Sequence, residues 1–328
     1  MKPPKFKTLI LVTFNLLLLW EVGCKKDPPI SNDGGICEDF PISTSQLGYQ
    51  YQIRNSTFNI HAPCFNPNNS AEIVLTTGDS IITSGNNLYS INFNTGQKTF
   101  LTNNVLGQPK WSIKNWIVFN RAGSQIWKIK SNGDSLTQLT FIYENYSPEW
   151  SQDGTKLVYR QVIGSMYCIM LTTANGYKLD SIPNSFYGNG AWSTNDTKIA
   201  TVFNASTGHN IGLIDIQSKT INAITSFSEQ SSTGKAIITS MDWYNDAQSL
   251  IWSSGYGLYK TNVNTGTTIQ LKFGCDRKCY MYPSISPDGQ KIVVERVDKK
   301  QLNQNTIYVE SNLFMMDTNG ENETKINY

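Results

Sequence analysis

Short runs of alternating hydrophobic and polar residues recur along most of the chain. Examples are IWKIK from Ile126, GLIDI from Gly212 and LYKTNV from Leu258. A period of two places alternate side chains on opposite faces of an extended strand. The pattern predicts many short β-strands joined by turns.

A large apolar residue followed by a polar turn marks an internal repeat. It occurs at Trp111, Trp150, Trp192 and Trp243, with Ile285 in the equivalent place of the last copy, at intervals of 39, 42, 51 and 42 residues. These intervals lie near the ~40–45-residue period of a four-stranded propeller blade. The chain is therefore predicted to contain a repeated β-sheet unit.

Each repeat continues in the same way after its marker. A tight turn leads into an apolar strand, as in SQDGTKLVYRQV from Ser151 and SPDGQKIVVERV from Ser286, and a second hairpin follows. Five of the second hairpins carry Asn-Gly or Thr-Gly, and the other carries Gln217-Ser218; the five glycines are Gly96, Gly133, Gly176, Gly266 and Gly320.

A four-stranded sheet of this kind has two apolar faces. These faces become buried when several copies pack face to face around an axis. We therefore predict an all-β fold over residues 72–328, namely a six-bladed β-propeller with four antiparallel strands per blade. Residues 37–71 precede this array and are expected to cap the propeller or to supply a strand that closes it.

The turn motif resembles the repeat of TolB-like β-propellers, in which Trp-Ser-Pro-Asp-Gly precedes a Lys-apolar-apolar strand. The likeness covers residues 72–328 and is best at 148–160 and 283–296. TolB is a two-domain periplasmic protein with an α/β domain before its propeller. Residues 37–70 are too few for that domain, so the resemblance implies the propeller but not the role of TolB with Pal.

The start of the chain resembles a bacterial lipoprotein signal peptide. Three lysines precede an apolar run from Leu9 to Trp20, whose twelve residues span about 18 Å as a helix, short of the ~30 Å of a bilayer core. Val22-Gly23-Cys24 ends the run. The resemblance implies cleavage after residue 23 and lipidation of Cys24, with residues 24–36 as a flexible tether; an ordinary secretory signal is the alternative.

The residues that follow Cys24 begin Lys25-Lys26-Asp27, which resembles lipoproteins of the Bacteroidetes group, some of which reach the cell surface. We therefore expect a cell-envelope protein that is lipid-anchored at the outer membrane, on its periplasmic or surface-exposed face.

The charge balance argues against nucleic acid as a partner. Net charge is +2, and removal of residues 1–23 takes three of the 27 basic and one of the 25 acidic residues, which leaves equal numbers. A neutral chain has no electrostatic footprint for nucleic acid. The expected partners are the membrane, through the lipid, and a protein, peptide or glycan.

Export makes disulfides the default state of the remaining cysteines. The spacing predicts a Cys275–Cys279 bond and a Cys37–Cys64 bond, with Cys168 as a buried thiol. A zinc site at Cys275 and Cys279 is the alternative, but no neighbouring Cys or His completes four ligands. No metal site and no cofactor is predicted.

The recurring Trp and Asp residues are predicted to have structural roles. One tryptophan per repeat fits packing between blades better than sugar stacking. The acidic turn residues Asp153, Asp196, Asp246 and Asp288 fit turn formation better than calcium binding, which needs 6–8 oxygens.

We find no catalytic motif, and therefore predict a non-enzymatic binding scaffold. The Gly-x-Ser-x-Gly elbow is absent, and His61 and His209 lie in loops without a readable partner. Two alternatives stay open: a polysaccharide lyase or hydrolase that uses carboxylates or Tyr at the channel mouth, and a structural subunit of an envelope complex.

The connections between consecutive repeats are rich in aromatic residues, and in a propeller they gather on one face. Function concentrates on such loops, and Tyr and Arg are common interface anchors. The alternative is that these rings only plug the channel. The predicted binding face comprises Tyr143, Tyr146, Phe186, Tyr187, Arg277 and Tyr280.

Overall fold

The computed structural model describes residues 52–53, 61–78, 85–183, 190–205, 208–227, 238–275, 277–303 and 306–328. This part of the chain is all-β, with 24 strands numbered here in chain order. Among the described residues there is no helix long and apolar enough to span a membrane. Cys24, Cys37, Phe186 and Tyr187 lie outside the described residues.

The strands form five sheets. The first part of the chain supplies β1 (Gln52–Ile53), β2 (Cys64–Asn66), β3 (Asn69–Thr77), β4 (Asn86–Asn92), β5 (Gln97–Trp111), β6 (Trp116–Arg121), β7 (Gln125–Lys130) and β8 (Thr137–Gln138). The middle supplies β9 (Glu144–Trp150), β10 (Lys156–Ile163), β11 (Met166–Thr173), β12 (Lys178–Pro183), β13 (Ala191–Trp192), β14 (Lys198–Ala205), β15 (Gly208–Asp215) and β16 (Ile221–Ala223). The last part supplies β17 (Ser240–Trp243), β18 (Ser249–Ser253), β19 (Leu258–Asn262), β20 (Thr268–Lys272), β21 (Lys278–Ile285), β22 (Lys291–Asn303), β23 (Thr306–Asp317) and β24 (Thr324–Lys325).

Within each sheet, consecutive strands pair as antiparallel neighbours. The β9–β12, β13–β16 and β17–β20 sheets have four strands each, and β21–β24 form a similar sheet to which β1 adds a parallel edge beside β23. The sheet from β2 to β8 has seven strands because the 15-residue β5 pairs with β4 along its first part and with β6 along its second. Antiparallel sheets therefore form throughout, as the alternating pattern predicts.

The acidic turns are built by side chains that cap their own backbone. In the β9–β10 turn, the backbone N–H of Thr155 donates to Asp153 Oδ1 at 2.9 Å and that of Lys156 donates to Ser151 Oγ at 2.9 Å. Asp288 accepts from the backbone N–H of Gln290 in the same way. The turn-forming role of Asp153 and Asp288 is confirmed.

Asp196 differs from this prediction. In the β13–β14 turn, Asn195 takes the capping place, and its Oδ1 accepts from Ser193 Oγ at 2.8 Å. Asp196 has φ +56° and accepts from the backbone N–H of Gln152 at 2.7 Å and of Asp153 at 3.2 Å. Its carboxylate therefore joins two neighbouring turns.

The marker tryptophans are buried between sheets. Trp111, Trp150, Trp192 and Trp243 each belong to a hydrophobic cluster and are at most 6% exposed. The indole N–H of Trp150 donates to the carbonyl of Lys110 at 3.1 Å, and that of Trp243 to the carbonyl of Ala191 at 3.0 Å. The predicted packing role is confirmed.

The segment before the repeats joins the first sheet to the last. β2 pairs with β3, and the backbone N–H of Phe65 donates to Ser284 Oγ on β21 at 3.2 Å. The backbone N–H of His61 donates to Glu295 Oε1 on β22 at 3.1 Å. The edge strand β2 of the first sheet and residues 61–63 before it are therefore hydrogen-bonded to the last sheet.

Neither predicted disulfide forms, because Cys64 and Cys279 are thiols. Cys64 is buried on β2 in the cluster around Trp111. Cys279 packs against Val297 and Val309, and its Sγ donates to the carbonyl of Cys275 at 3.4 Å. The pairing predictions were wrong because Cys279 faces a hydrophobic cluster, and Cys64 is buried where β2 lines a central cavity. Cys168 is a half-buried thiol.

Candidate functional site

Six strands from the five sheets surround one cavity of about 310 Å³. In five of the strands, the residue that directly precedes the marker residue lines the cavity. In β2, which has no marker residue, Cys64 takes the corresponding place. We call these six residues the axial ring: Cys64 of β2, Lys110 of β5, Glu149 of β9, Ala191 of β13, Asp242 of β17 and Ser284 of β21.

Strand alternation explains the axial ring. The marker side chain points between sheets, so the residue before it points the other way, toward the cavity. The sequence signal is the residue before each marker, in PKW, PEW, GAW, MDW and PSI. The tryptophans carry the conspicuous repeat signal, and a role for these neighbours was not predicted from the sequence.

A buried ion pair crosses the axial ring. Lys110 Nζ lies 2.7 Å from Glu149 Oε2, with 10% and 18% of the two side chains exposed. Burial lowers the pKa of Lys110, but the attraction of Glu149 and Asp242 outweighs burial and raises it above its usual value. Burial raises the pKa of Glu149 against the opposing effect of Lys110. The short distance defines a charged pair.

Asp242 is the second carboxylate of the axial ring. Its Oδ1 accepts from the backbone N–H of Trp243 at 2.8 Å, and its Oδ2 accepts from the backbone N–H of Ile285 at 3.0 Å. Within the described residues, none of the ion pairs includes Asp242. The axial ring therefore holds two acids and one base.

The ion pair separates two cavities along the axis. A second cavity of about 190 Å³ shares Lys110 and Glu149 with the first. It is lined by residues that precede the ring on the same strands, such as Gln108, Pro148 and Tyr282. The larger cavity is lined by residues that follow, including Ile113 and Gln152 in the turns. We call the two ends the connection side and the turn side.

Three consecutive apolar side chains are exposed in the β8–β9 connection. Phe141 is 73% exposed, Ile142 64% and Tyr143 52%. We call them the apolar loop. Large exposed apolar side chains scattered singly are ordinary, whereas a contiguous group marks an interaction surface.

The backbone of the apolar loop is held by side-chain amides. Asn145 is fully buried, and its Nδ2 donates to the carbonyl of Ile142 at 2.9 Å. Gln125 Nε2 donates to the carbonyl of Tyr143 at 2.7 Å, and Gln161 Nε2 donates to Asn145 Oδ1 at 2.9 Å. Tyr143 is fixed at φ +59°, which few non-glycine residues adopt. The loop is preorganised with its side chains outward.

The residues of the predicted binding face differ in exposure and do not all lie beside the same sheet. Tyr143 is exposed, and Tyr146 is half-buried with its hydroxyl donating to Glu144 Oε2 at 2.9 Å. Arg277 is half-buried in the connection before β21, in a different sheet.

Tyr280 does not belong on this face. It is fully buried in the cluster around Ile292, and its hydroxyl donates to Glu323 Oε2 at 3.1 Å. Its position on β21 points the ring into the sheet interface, which a loop assignment from sequence did not anticipate.

The two histidines lie away from the cavities' lining. His61 is buried, with Nδ1 2.9 Å from Ser311 Oγ, and His209 is on β15. Among the described residues, no three His, Cys, Asp or Glu side chains are placed to share a metal ion.

Comparison with known proteins identifies the fold. No family model and no curated protein matches the chain. A putative TolB from Agrobacterium tumefaciens superposes with a TM-score of 0.59 at 16% identity, over 72% of this chain and 86% of that one. TolB from Acinetobacter baumannii gives 0.57 at 15% identity, over 81% of this chain and 63% of that one. The β-propeller domain of the Trilobed protease from Pyrococcus furiosus gives 0.54 at 12%, over 83% and 98%.

The chain is thus an all-β protein with a propeller fold. More particularly, its structural neighbours are TolB and the propeller domains of peptidases. At these identities the likeness shows the fold alone.

Proposed function

We propose that this chain is a lipid-anchored protein of the bacterial cell envelope that binds a protein or peptide partner without catalysing a reaction. Cleavage after residue 23 leaves Cys24 for acylation, residues 24–36 serve as a tether, and the propeller is held at the outer membrane. The basic start, short apolar run and Val22-Gly23-Cys24 support this location.

The propeller has six blades of four antiparallel strands in this proposal. Six strands line one cavity, which supports six units around one axis. The shared strand β5 supports a division of the first sheet into two units, β2–β5 and β5–β8. The bonds from Phe65 and His61 to the last sheet support closure of the ring.

The apolar loop is the observation that carries the binding function. Its aromatic side chains offer large contact area, and the amides around Asn145 hold the backbone before a partner arrives. A rigid loop loses less conformational entropy on binding, which favours affinity. The neutral mature chain predicts association that depends little on salt.

Photo-crosslinking in the native envelope tests this function. A benzoylphenylalanine at position 142 of the full chain is expected to give one discrete adduct with a protein or peptide. Leu179 on β12 is 52% exposed and provides the matched control position, where no adduct is expected.

Phe141→Ser is expected to reduce the adduct at position 142 at least several-fold. Protease sensitivity of the adduct identifies a protein partner, whereas glycosidase sensitivity would assign a glycan instead. Equal labelling at positions 142 and 179, or no adduct at 142, contradicts the proposal.

A polysaccharide hydrolase is the second candidate, because Glu149 and Asp242 line one cavity and burial raises the pKa of Glu149. Two carboxylates with separated pKa values are the machinery of glycoside hydrolysis. The 2.7 Å contact with Lys110 argues against it, because a general acid needs a transferable proton. Release of reducing ends that both Glu149→Gln and Asp242→Asn abolish would replace the binding function with this one.

A further inference from the structure

We propose that a disulfide between Cys37 and Cys275 fastens the start of the mature chain to the last sheet and shortens the tether between the propeller and the membrane. The choice of Cys37 as the partner rests on the proposed lipidation of Cys24, whereas the presence of a disulfide at Cys275 does not.

The state of Cys275 differs from that of the other described cysteines. Cys275 is disulfide-bonded, whereas Cys64, Cys168 and Cys279 are thiols. The chain has six cysteines. The partner of Cys275 is therefore Cys24 or Cys37.

The chemistry of the anchor decides between these two partners. Lipidation converts the thiol of Cys24 into a thioether, which cannot enter a disulfide, so Cys37 remains. The bond forms when the thiols of Cys37 and Cys275 lose two protons and two electrons. An envelope oxidoreductase with an oxidised dithiol accepts them by thiol–disulfide exchange and leaves as the reduced dithiol.

Cys275 lies in a tight turn just before β21, where the fold holds its sulfur. Its backbone N–H donates to the carbonyl of Lys278 at 2.9 Å, and the N–H of Lys278 donates back at 3.0 Å. The backbone N–H of Arg277 donates to Cys275 Sγ at 3.4 Å. Cys275 is only 6% exposed. A buried sulfur is shielded from attacking thiolates, so we expect a stable structural bond.

The N-terminal segment reaches the same sheet as Cys275. β1 lies beside β23 in the sheet that contains β21 and β22. In that sheet, the backbone N–H of Lys299 donates to the carbonyl of Arg277 at 2.7 Å, two residues from Cys275. Cys37 precedes β1 by 15 residues, which span at most about 50 Å. The chain can therefore join Cys275 and β1 along one sheet.

The disulfide shortens the tether that follows the lipid. Cys24 and Cys37 are 13 residues apart, which corresponds to a root-mean-square distance of about 20 Å. Without the bond, β1 is the first fixed point, 28 residues from Cys24, at about 29 Å. Effective concentration falls with about the 3/2 power of tether length, so the bond raises that of the last sheet at the membrane about threefold.

Peptide mapping of the lipidated protein from native envelope, alkylated without reduction, tests the bond. Trypsin places Cys37 in peptide 27–54, Cys275 in 273–277 and Cys279 in 279–291. A species that joins 27–54 to 273–277 and separates on reduction is expected.

Two serine variants, four residues apart, distinguish this bond from other pairings. Cys275→Ser is expected to abolish the linked species and to make Cys37 fully accessible to alkylation. Cys279→Ser is the matched control and is expected to leave the linked species unchanged. Alkylation of Cys275 in the unreduced protein, or a link from 273–277 to any peptide other than 27–54, would overturn the proposal.

Crosslinking to lipid tests the effect on the tether. A benzoylphenylalanine at position 300, which is exposed on β22, is expected to label membrane lipid in the full chain. Cys275→Ser should lower this labelling about threefold, and Cys279→Ser should not change it. Equal labelling in the two variants would show that the disulfide does not set the reach of the tether.

The same mapping separates this proposal from the proposed anchor. The mass of the peptide that carries Cys24 reports the lipid directly. An unlipidated Cys24 beside an intact link from 27–54 to 273–277 contradicts the anchor and leaves the disulfide standing. A lipidated Cys24 without this link overturns the disulfide alone.

Discussion

At the scale of single residues, one position per repeat determines which side chains form the axial ring around the cavity. The residue before each marker is Lys110, Glu149, Ala191, Asp242 or Ser284, and only the fold brings these distant residues together. The sequence shows that they occupy equivalent places. It does not show that Lys110 and Glu149, 39 residues apart, form an ion pair.

Glu295 is a second buried carboxyl, where the first and last sheets meet. It is 0% exposed, Ser311 Oγ and the backbone N–H of His61 donate to Oε1, and Oε2 has no hydrogen-bond partner among the described residues. Burial raises its pKa to about 7. The charge of Glu295 also adds to the effect of burial on Tyr282, whose pKa rises to about 12.

Stability is therefore expected to depend on pH through Glu295. Because its pKa is higher folded than unfolded, its contribution is fully present below about pH 4.5 and is lost as pH rises to about 7. The loss amounts to roughly 3 kcal/mol, since one pKa unit corresponds to about 1.4 kcal/mol. Urea unfolding from pH 4.5 to 8 should show it.

Glu295→Gln is expected to remove this part of the pH dependence, whereas Glu144→Gln, at an exposed carboxylate, is expected to retain it. Identical pH profiles for the wild type and Glu295→Gln would show that Glu295 is not protonated in the folded state.

At the scale of elements, the second hairpin of a repeat packs closely on the preceding sheet. A Cβ at Gly176 would lie 2.7 Å from the carbonyl oxygen of Leu139, and one at Gly266 would lie 2.6 Å from that of Ile224. Both glycines have positive φ. Glycine is needed there for its conformation and for the close approach of two backbones.

Two alanine substitutions separate these requirements. Gly164→Ala meets nothing within 4 Å and has φ +62°, so it should lower the free energy of unfolding by about 1 kcal/mol. Gly176→Ala adds a backbone clash and should lower it by about 2 kcal/mol more. Urea unfolding of both variants measures the difference, and equal losses would mean that the hairpin does not pack as described.

The sequence predicts which segments form strands better than it predicts where a strand begins and with which strands it pairs. Alternation and turn residues identify the strands, the Asp153 turn and the packing of the tryptophans, because these depend on local geometry. It fails at Tyr280 and Cys279, where a segment assigned to a loop continues as β21. It also misses that β5 is one strand shared by two units, since pairing partners are set by tertiary contacts.

At the scale of the whole molecule, the proposed six-bladed propeller depends on closure of the ring. A closed ring would place the six strands that line the cavity around one axis and direct the apolar loop to the connection side. The contacts that would close it run from Phe65 to Ser284 and from His61 to Glu295.

The distance between the first and last turns tests closure most directly. Nitroxide side chains at positions 68 and 290, in the β2–β3 and β21–β22 turns, report on the junction by electron–electron dipolar spectroscopy. Positions 152 and 197 provide the reference, because their turns are neighbours joined by Asp196. A closed ring predicts the same short distance for both pairs, and a much longer distance between 68 and 290 would show an open arc.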